Sequence, residues 1–340
     1  MSTADGPETS SSRSLSARMQ KRALRSALSW AGLLVSALFA FLAVRHVQFA
    51  EVWNGLRTSN YWWLLPAFVL LGVAILVKAL RWHYLFTPET RPGTRAVVTS
   101  LLIGYFFNSV LPARAGEAAR VLALRQRAGT SRAEASATIV VERAYDVLVL
   151  LVLLFVAYPW LPRVTWMQGA VVFAVALAAG LAAAIVVFAV FGIRPVHFVL
   201  RPLARLPFVS LERLGRVGEG LGQGLAGLRR PSLMLGALVW TTLGWLALAA
   251  STWFVIRGFH VGLSFAAALL VVIATNLAMI LPSSPSAVGV FEAAALVAFR
   301  AYGVPDSRAL SCALVIHALN FLPFIAAGLF LLRGTLKAGA

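Results

Sequence analysis

The sequence predicts an all-α integral membrane protein, with six spanning helices and two broken, re-entrant helical hairpins arranged as an inverted repeat. Three observations predict it. Of the 340 residues, 60% are hydrophobic and only 12% charged, a balance that cannot give a water-soluble globule its polar surface. Apolar runs able to cross about 30 Å of hydrocarbon, roughly 20 residues of helix, recur along the chain. Two further apolar stretches stop at a Leu-Pro pair, Leu111-Pro112 and Leu281-Pro282.

Taken in order, residues 1–26 are rich in Ser and Thr and carry Arg13, Arg18, Lys21, Arg22 and Arg25, which predicts a disordered basic tail. The apolar run 27–44 is too long for the core of a cleaved signal peptide and reads as an uncleaved anchor. Further spans are predicted at 61–77, 139–158, 167–191, 233–256 and 309–332. The shorter runs 96–111 and 264–281 each begin a hairpin: beyond the proline lie small or polar residues, then Gly116-Glu117 in one case and Pro285, Gly289 and Glu292 in the other. A mid-membrane proline frees backbone groups that only protein or a wet cavity can satisfy. The membrane domain thus covers 27–333, with a first repeat at about 61–158, a second at about 233–332 and a tail at 334–340. The linker 194–230 places Leu211, Leu214, Leu221, Leu225 and Leu228 opposite Arg213, Arg216 and Glu219, the pattern of an amphipathic helix on the inner leaflet.

The net charge of +18 is spread over the loops instead of one soluble face, so it reports topology and not nucleic-acid binding. With both termini in the cytoplasm of a bacterial-type plasma membrane, 23 basic residues fall inside and six outside, as the positive-inside rule requires. Lys78 and Arg81 are among those assigned to the inner loops. Tyr61, Trp62, Trp63, Tyr158, Trp160, Trp166 and Trp253 form an outer interfacial belt.

The halves share a register. Arg143 and Asp146 lie 14 and 17 residues after Gly129, and His317 and Asn320 lie 14 and 17 after Gly303. One hairpin opening inward and the other outward is the plan of many secondary transporters.

Candidate site residues follow from the cost of charge in hydrocarbon, about 2.5–3.5 kcal/mol for a group at a helix centre. Only 12 residues separate Asp146 from the end of its span at Tyr158, so part of Glu142, Arg143 and Asp146 is drawn below the surface. Two readings stand. Either Glu142 and Arg143 reach the inner interface and an Arg143–Asp146 pair at i,i+3 pins the helix, or Arg143 faces a wet groove and attracts a lipid phosphate with Asp146 orienting it. Arg114, Glu117 and Arg120 recur every three residues after the first break, either as a phosphate-binding stripe near a half-helix N-terminus or as a solvated face. Glu292 has no basic neighbour within a turn and is either protonated or met by Arg143 or His317. Asn108, Asn276 and Asn320 read as hydrogen-bonding groups between helices.

The run from Asn108 to Glu117, with Arg120, Gly129 and Glu142-Arg143-Ala144-Tyr145-Asp146, resembles the lysylphosphatidylglycerol synthase transmembrane-region family of flippase-like proteins. Pro282-Ser283-Ser284-Pro285, Gly289-Val290-Phe291-Glu292 and Gly303 resemble its second block. The resemblance spans roughly 27–332 and implies movement of lipids, such as aminoacylated phosphatidylglycerol or lipid-linked precursors, between leaflets. This chain departs from the pattern at Ser286-Ala287, where glycines are expected, and at His317, where an arginine is common. The soluble synthase domain of larger relatives has no counterpart here, so no lipid aminoacylation is expected.

Other motifs fail. Gly222-Gln223-Gly224-Leu225-Ala226-Gly227 matches G-x-G-x-x-G but follows no strand. No Walker A sequence is present. The five histidines are scattered, and the single Cys312 lies in an apolar run as a small core residue. No metal, cofactor or catalytic constellation is read, so an enzyme is not expected. The sequence therefore predicts a transporter of an anionic lipid, with membrane lipids as its partners; the alternative is a non-transporting accessory or scaffold of a cell-envelope pathway.

Overall fold

The computed structural model describes residues 33–45, 47–111, 115–192, 194, 211–280 and 283–337. Among these residues no strand occurs. The tail 1–26, Pro112, Arg114, Pro282 and most of the linker before residue 211 lie outside the described residues.

The chain enters as α1 (Leu33–Val44), which turns by 81° into α2 (Phe49–Thr58). Glu51 in the first turn of α2 and Arg57 in its last both complement the helix dipole. The Asn60 side chain accepts a hydrogen bond from the Trp62 backbone (3.1 Å) and opens a short 3₁₀ turn. That turn leads into α3 (Leu64–Leu85), whose 22 residues are enough to cross hydrocarbon.

After α3 come α4 (Thr94–Val110), α5 (Gly116–Ala128) and α6 (Arg132–Ala157). Ser131 starts α6 by accepting from the Glu134 backbone N–H at 3.1 Å. The chain continues with α7 (Thr165–Phe191), α8 (Leu211–Ala226) and α9 (Pro231–Gly258), which has Pro231 at its first position. It closes with α10 (Phe265–Ala278), α11 (Val290–Ala301) and α12 (Asp306–Lys337).

By length and composition four helices cross a membrane: Tyr61–Leu85, Met167–Phe191, Pro231–Gly258 and Asp306–Leu331. The expected six differ at two places. The first predicted span begins in residues outside the described range and its described part bends into α2, which makes at most a fifth, broken span. In α6, 26 residues long, Arg132, Glu134, Glu142, Arg143 and Asp146 interrupt the apolar pattern. Outward faces are apolar where a soluble protein's would be polar: Phe68, Val69 and Val73 on α3 and Val172, Phe173 and Val190 on α7 are exposed.

The element order α3–α6 recurs in α9–α12, each time a long helix, a shorter one, a break, a short helix and a long helix. Gly129 (φ 69°) follows α5 and Gly303 (φ 70°) follows α11, both in the left-handed conformation that ends helices. The leading helices of the two sets, α3 and α9, pack along each other, with Ser251 donating to the Ala67 carbonyl at 2.6 Å. Cys312 is fully buried among apolar neighbours.

The predicted amphipathic helix forms over Leu211–Ala226 and packs on protein along one side. α8 packs on α6, where Gly220 and Gly224 leave room for Ala133 and Ala137, and Gly227 abuts the Leu85 carbonyl. Two glycines of the spurious nucleotide motif, Gly224 and Gly227, thus serve close packing. Leu225 and Leu228 are buried at the same contact.

Candidate functional site

The site is built where three helices converge. α3 does not stop at Val77, where its apolar run ends, but continues through Lys78, Arg81 and Trp82 to Leu85. Arg81 is 1% exposed. Glu142 and Asp146 stand four residues apart on α6, hence on one face, and Arg81 bridges them: Nη2 lies 2.8 Å from Glu142 Oε1 and Nη1 2.5 Å from Asp146 Oδ1. Trp245 of α9 donates its indole N–H to the same Asp146 oxygen at 3.1 Å, and Thr241 lies 3.2 Å from Arg81 Nη1.

The returning helix α5 completes the cluster. Gly116 makes the return possible, because its N–H donates to Asn108 Oδ1 (2.9 Å) and a Cβ there would overlap the Gly104 carbonyl. Arg120 forms a fork with Glu142, 2.6 Å to Oε2 and 3.3 Å to Oε1, and its guanidinium lies 4.4 Å from the Trp82 ring centroid. Fork geometry is the strong form of this pair. Arg143, beside Glu142 on α6, meets Glu117 at 2.7 Å.

Several expectations change here. Arg143 is a minor partner of Asp146, at 3.6 Å, while Arg81 is the main one. Arg120 is 3% exposed and so belongs to no solvated face. Arg81 is not a loop residue. Among the described residues Asn108 alone of the three asparagines bonds across elements; Asn276 and Asn320 each donate to a carbonyl of their own helix at 2.8 Å.

The second break is leaner. Glu292, in the first turn of α11, accepts the Gly289 N–H through Oε2 (2.7 Å) and bonds His317 Nδ1 through Oε1. His317 is therefore its partner, and Arg143 is not. The His317 ring sits between Phe291 and Phe321, with centroids at 4.7 and 4.5 Å. Pro285 begins a short turn in which Ser286 (φ 56°) and Ala287 (φ 57°) are left-handed, where glycine was expected. Ser286 Oγ reaches across to the Ser109 carbonyl at 2.8 Å and ties the second break to the first. The Ser284 N–H donates to Ser36 of α1 at 2.8 Å.

Between the breaks lies a cavity of about 480 Å³, within the usual range for small-molecule sites. One part of its wall is ionic and polar: Lys78, Arg81, Tyr105, Glu142, Arg143 and Asp146. The remainder is largely apolar, with Leu71, Leu150, Val271, Ile316 and Phe324, and Asn320 also reaches it. Glu117 and Arg120 stand one contact behind the wall, held through Arg143 and Glu142. Glu292 and His317 stand behind Phe291, which lines it. Lys78, Arg81, Tyr105 and Trp245 were missed from sequence. The available signal was the i,i+3 pair Lys78 and Arg81, which copies the spacing of Arg143 and Asp146.

The profile describing the Lysylphosphatidylglycerol synthase TM region matches residues 29–328. A UPF0104 membrane protein of Methanothermobacter thermautotrophicus is 27% identical over 284 residues, covering 78% of this chain and 82% of that relative. With four candidate apolar spans, the chain is a multi-pass integral membrane protein.

Proposed function

Because the chain belongs to the lysylphosphatidylglycerol synthase transmembrane-region family, we propose that it carries a phospholipid or lipid-linked phosphate head group between leaflets. The head group passes through the cavity while its acyl chains stay in the bilayer. The observation that carries this reading is a single cavity with an ionic wall and an apolar wall, set among helices whose outer faces are apolar. Charges at membrane depth are expensive and concentrate on substrate paths. Fixed groups that replace water lower the desolvation cost of an anionic head group.

The distribution of basic residues supports cytoplasmic termini, and the repeated element order supports a pair of repeats, which this reading takes as inverted, with breaks entering from opposite faces. The activity is transport and not catalysis. No phosphate-binding loop for ATP occurs in the sequence, so the reading involves no ATP hydrolysis by this chain.

The test is exchange of labelled lipids across liposomes containing the purified protein. A rate above protein-free liposomes is expected, with Arg143→Ala reducing it about tenfold or more at unchanged thermal stability, since Arg143 is the most exposed cation of the network (side chain 40%). No exchange of any anionic or aminoacylated lipid would overturn the reading. Loss of stability and abundance with exchange intact would assign the ion pairs to a scaffold.

A further inference from the structure

The ion pairs beside the cavity do not cancel. Among the described residues this cluster has four cations, Lys78, Arg81, Arg120 and Arg143, against three carboxylates, Glu117, Glu142 and Asp146. Arg81 is shared by Glu142 and Asp146, Arg120 takes the second oxygen of Glu142, and Arg143 takes Glu117. Lys78 is left over. Among the described residues no carboxylate lies within salt-bridge distance of its Nζ, which rests 4.0 Å from the Trp245 ring centroid. Gly244 gives its stem room, with Cγ and Cε lying 3.5 and 3.9 Å from where a Cβ would stand. On the same wall the Tyr105 hydroxyl has no hydrogen-bond partner among the described residues, and Arg143 keeps its exposed edge. The polar wall therefore offers one uncompensated positive charge and unused donors.

We infer that Lys78 is the phosphate-binding residue of the cavity and that its ligand is a lipid whose head group is a phosphodiester of single negative charge. One excess cation neutralises one phosphodiester. A phosphomonoester in its dianionic form would leave a charge unpaired, and an aminoacylated head group would bring an ammonium against Lys78 in a poorly screened space. The cavity is thus selective for the unmodified anionic lipid over its aminoacyl ester. This deepens the transport reading and rests on it for the passage that follows binding.

The experiment uses the full chain in nanodiscs of zwitterionic lipid, titrated calorimetrically with dihexanoyl phosphatidylglycerol, its lysine ester, dihexanoyl phosphatidate and acyl-free glycerophosphoglycerol. Wild type is expected to bind the phosphatidylglycerol at least tenfold more tightly than the other three. Lys78→Gln is expected to lose tenfold or more in affinity, about 1.4 kcal/mol, while Lys78→Arg stays within about threefold. Equal affinity for the lysine ester, or an unchanged Lys78→Gln, overturns the proposal. Equal affinity for the acyl-free compound assigns the site to a soluble phosphodiester and overturns its lipid part. The ligand comparison needs no variant, so a Lys78→Gln protein that fails to fold does not shelter the idea. Selective binding without leaflet exchange would sink the transport reading and leave this one standing; exchange indifferent to head-group charge would do the reverse.

Discussion

Around the first break, α5 and α6 meet α3 through a web of guanidinium groups and carboxylates, with Arg81 and Glu142 almost fully buried. Around the second, the buried polar contact between α11 and α12 is Glu292–His317, stacked among aromatic rings, and the Arg300–Asp306 ion pair that also joins them is partly exposed. The same order of helices is therefore fastened in two ways, by buried charge in one half and by packing plus backbone hydrogen bonds, with a partly exposed ion pair, in the other. A buried ion pair is costly to break because the surviving member loses both water and partner, whereas an acid that keeps a backbone donor is only partly orphaned. The half rich in charge should be the less forgiving.

The largest expected effect breaks that contrast directly. Arg81→Ala takes the main cation from Asp146, leaving it the Trp245 N–H and a more distant Arg143, and one of two cations from Glu142, which keeps Arg120; it should cost about 3–5 kcal/mol, enough to lose the folded protein. His317→Ala leaves Glu292 its Gly289 N–H and should cost only about 1–3 kcal/mol. Thermal unfolding in detergent ranks the two; equal losses would erase the distinction between the halves.

A smaller effect of opposite sign is expected at the second break. Ala287 sits at φ 57°, a conformation costing a non-glycine residue about 1–2 kcal/mol. Ala287→Gly should raise the unfolding free energy by roughly 1 kcal/mol after the entropy given to the unfolded chain. Ser286→Gly should gain less, because it gives up the bond to the Ser109 carbonyl. A drop in stability for Ala287→Gly would show that strain is not what separates this break from the other.

The smallest effect supplies a reference outside both breaks. Glu89, in the loop between α3 and α4, pairs with Arg230 at 2.8 Å, and the hydrogen bond from Arg230 holds its carboxyl down at about 2. A depressed folded value means the contribution is complete above the ordinary carboxylate range and is lost as pH falls through it toward 2. The pair is exposed, so the effect is slight. The Tm difference between wild type and Glu89→Gln should shrink from pH 6 to pH 3; a difference that grows on acidification would contradict the assignment.

Much of this was legible in the residues. Long apolar runs announced α3, α7, α9 and α12; each Leu-Pro pair closely follows a helix end, at Val110 in one half and Ala278 in the other. Glu142, Arg143 and Asp146 declared themselves by sitting too close to a span's end. What stayed hidden was partnership. Spacing along one helix points to Arg143 for Asp146, but Arg81, 65 residues away, wins because α3 packs against α6 and delivers its guanidinium between two acids. Lys78 and Arg81 were hidden for a related reason: a basic pair at the end of an apolar run looks like a loop until the helix is seen to continue to Leu85. Trp245 gave no signal, since one indole in a hydrophobic helix is indistinguishable from packing.

Ser36 of the first helix receives the Ser284 N–H, 248 residues later, and the Val52 carbonyl of α2 accepts from Ser311. Helices α1 and α2 thus find these seats only after the second break and the start of α12 have been made. Synthesis must park them in the bilayer meanwhile, and a chain cut short before the second break would leave α1 and α2 without these partners.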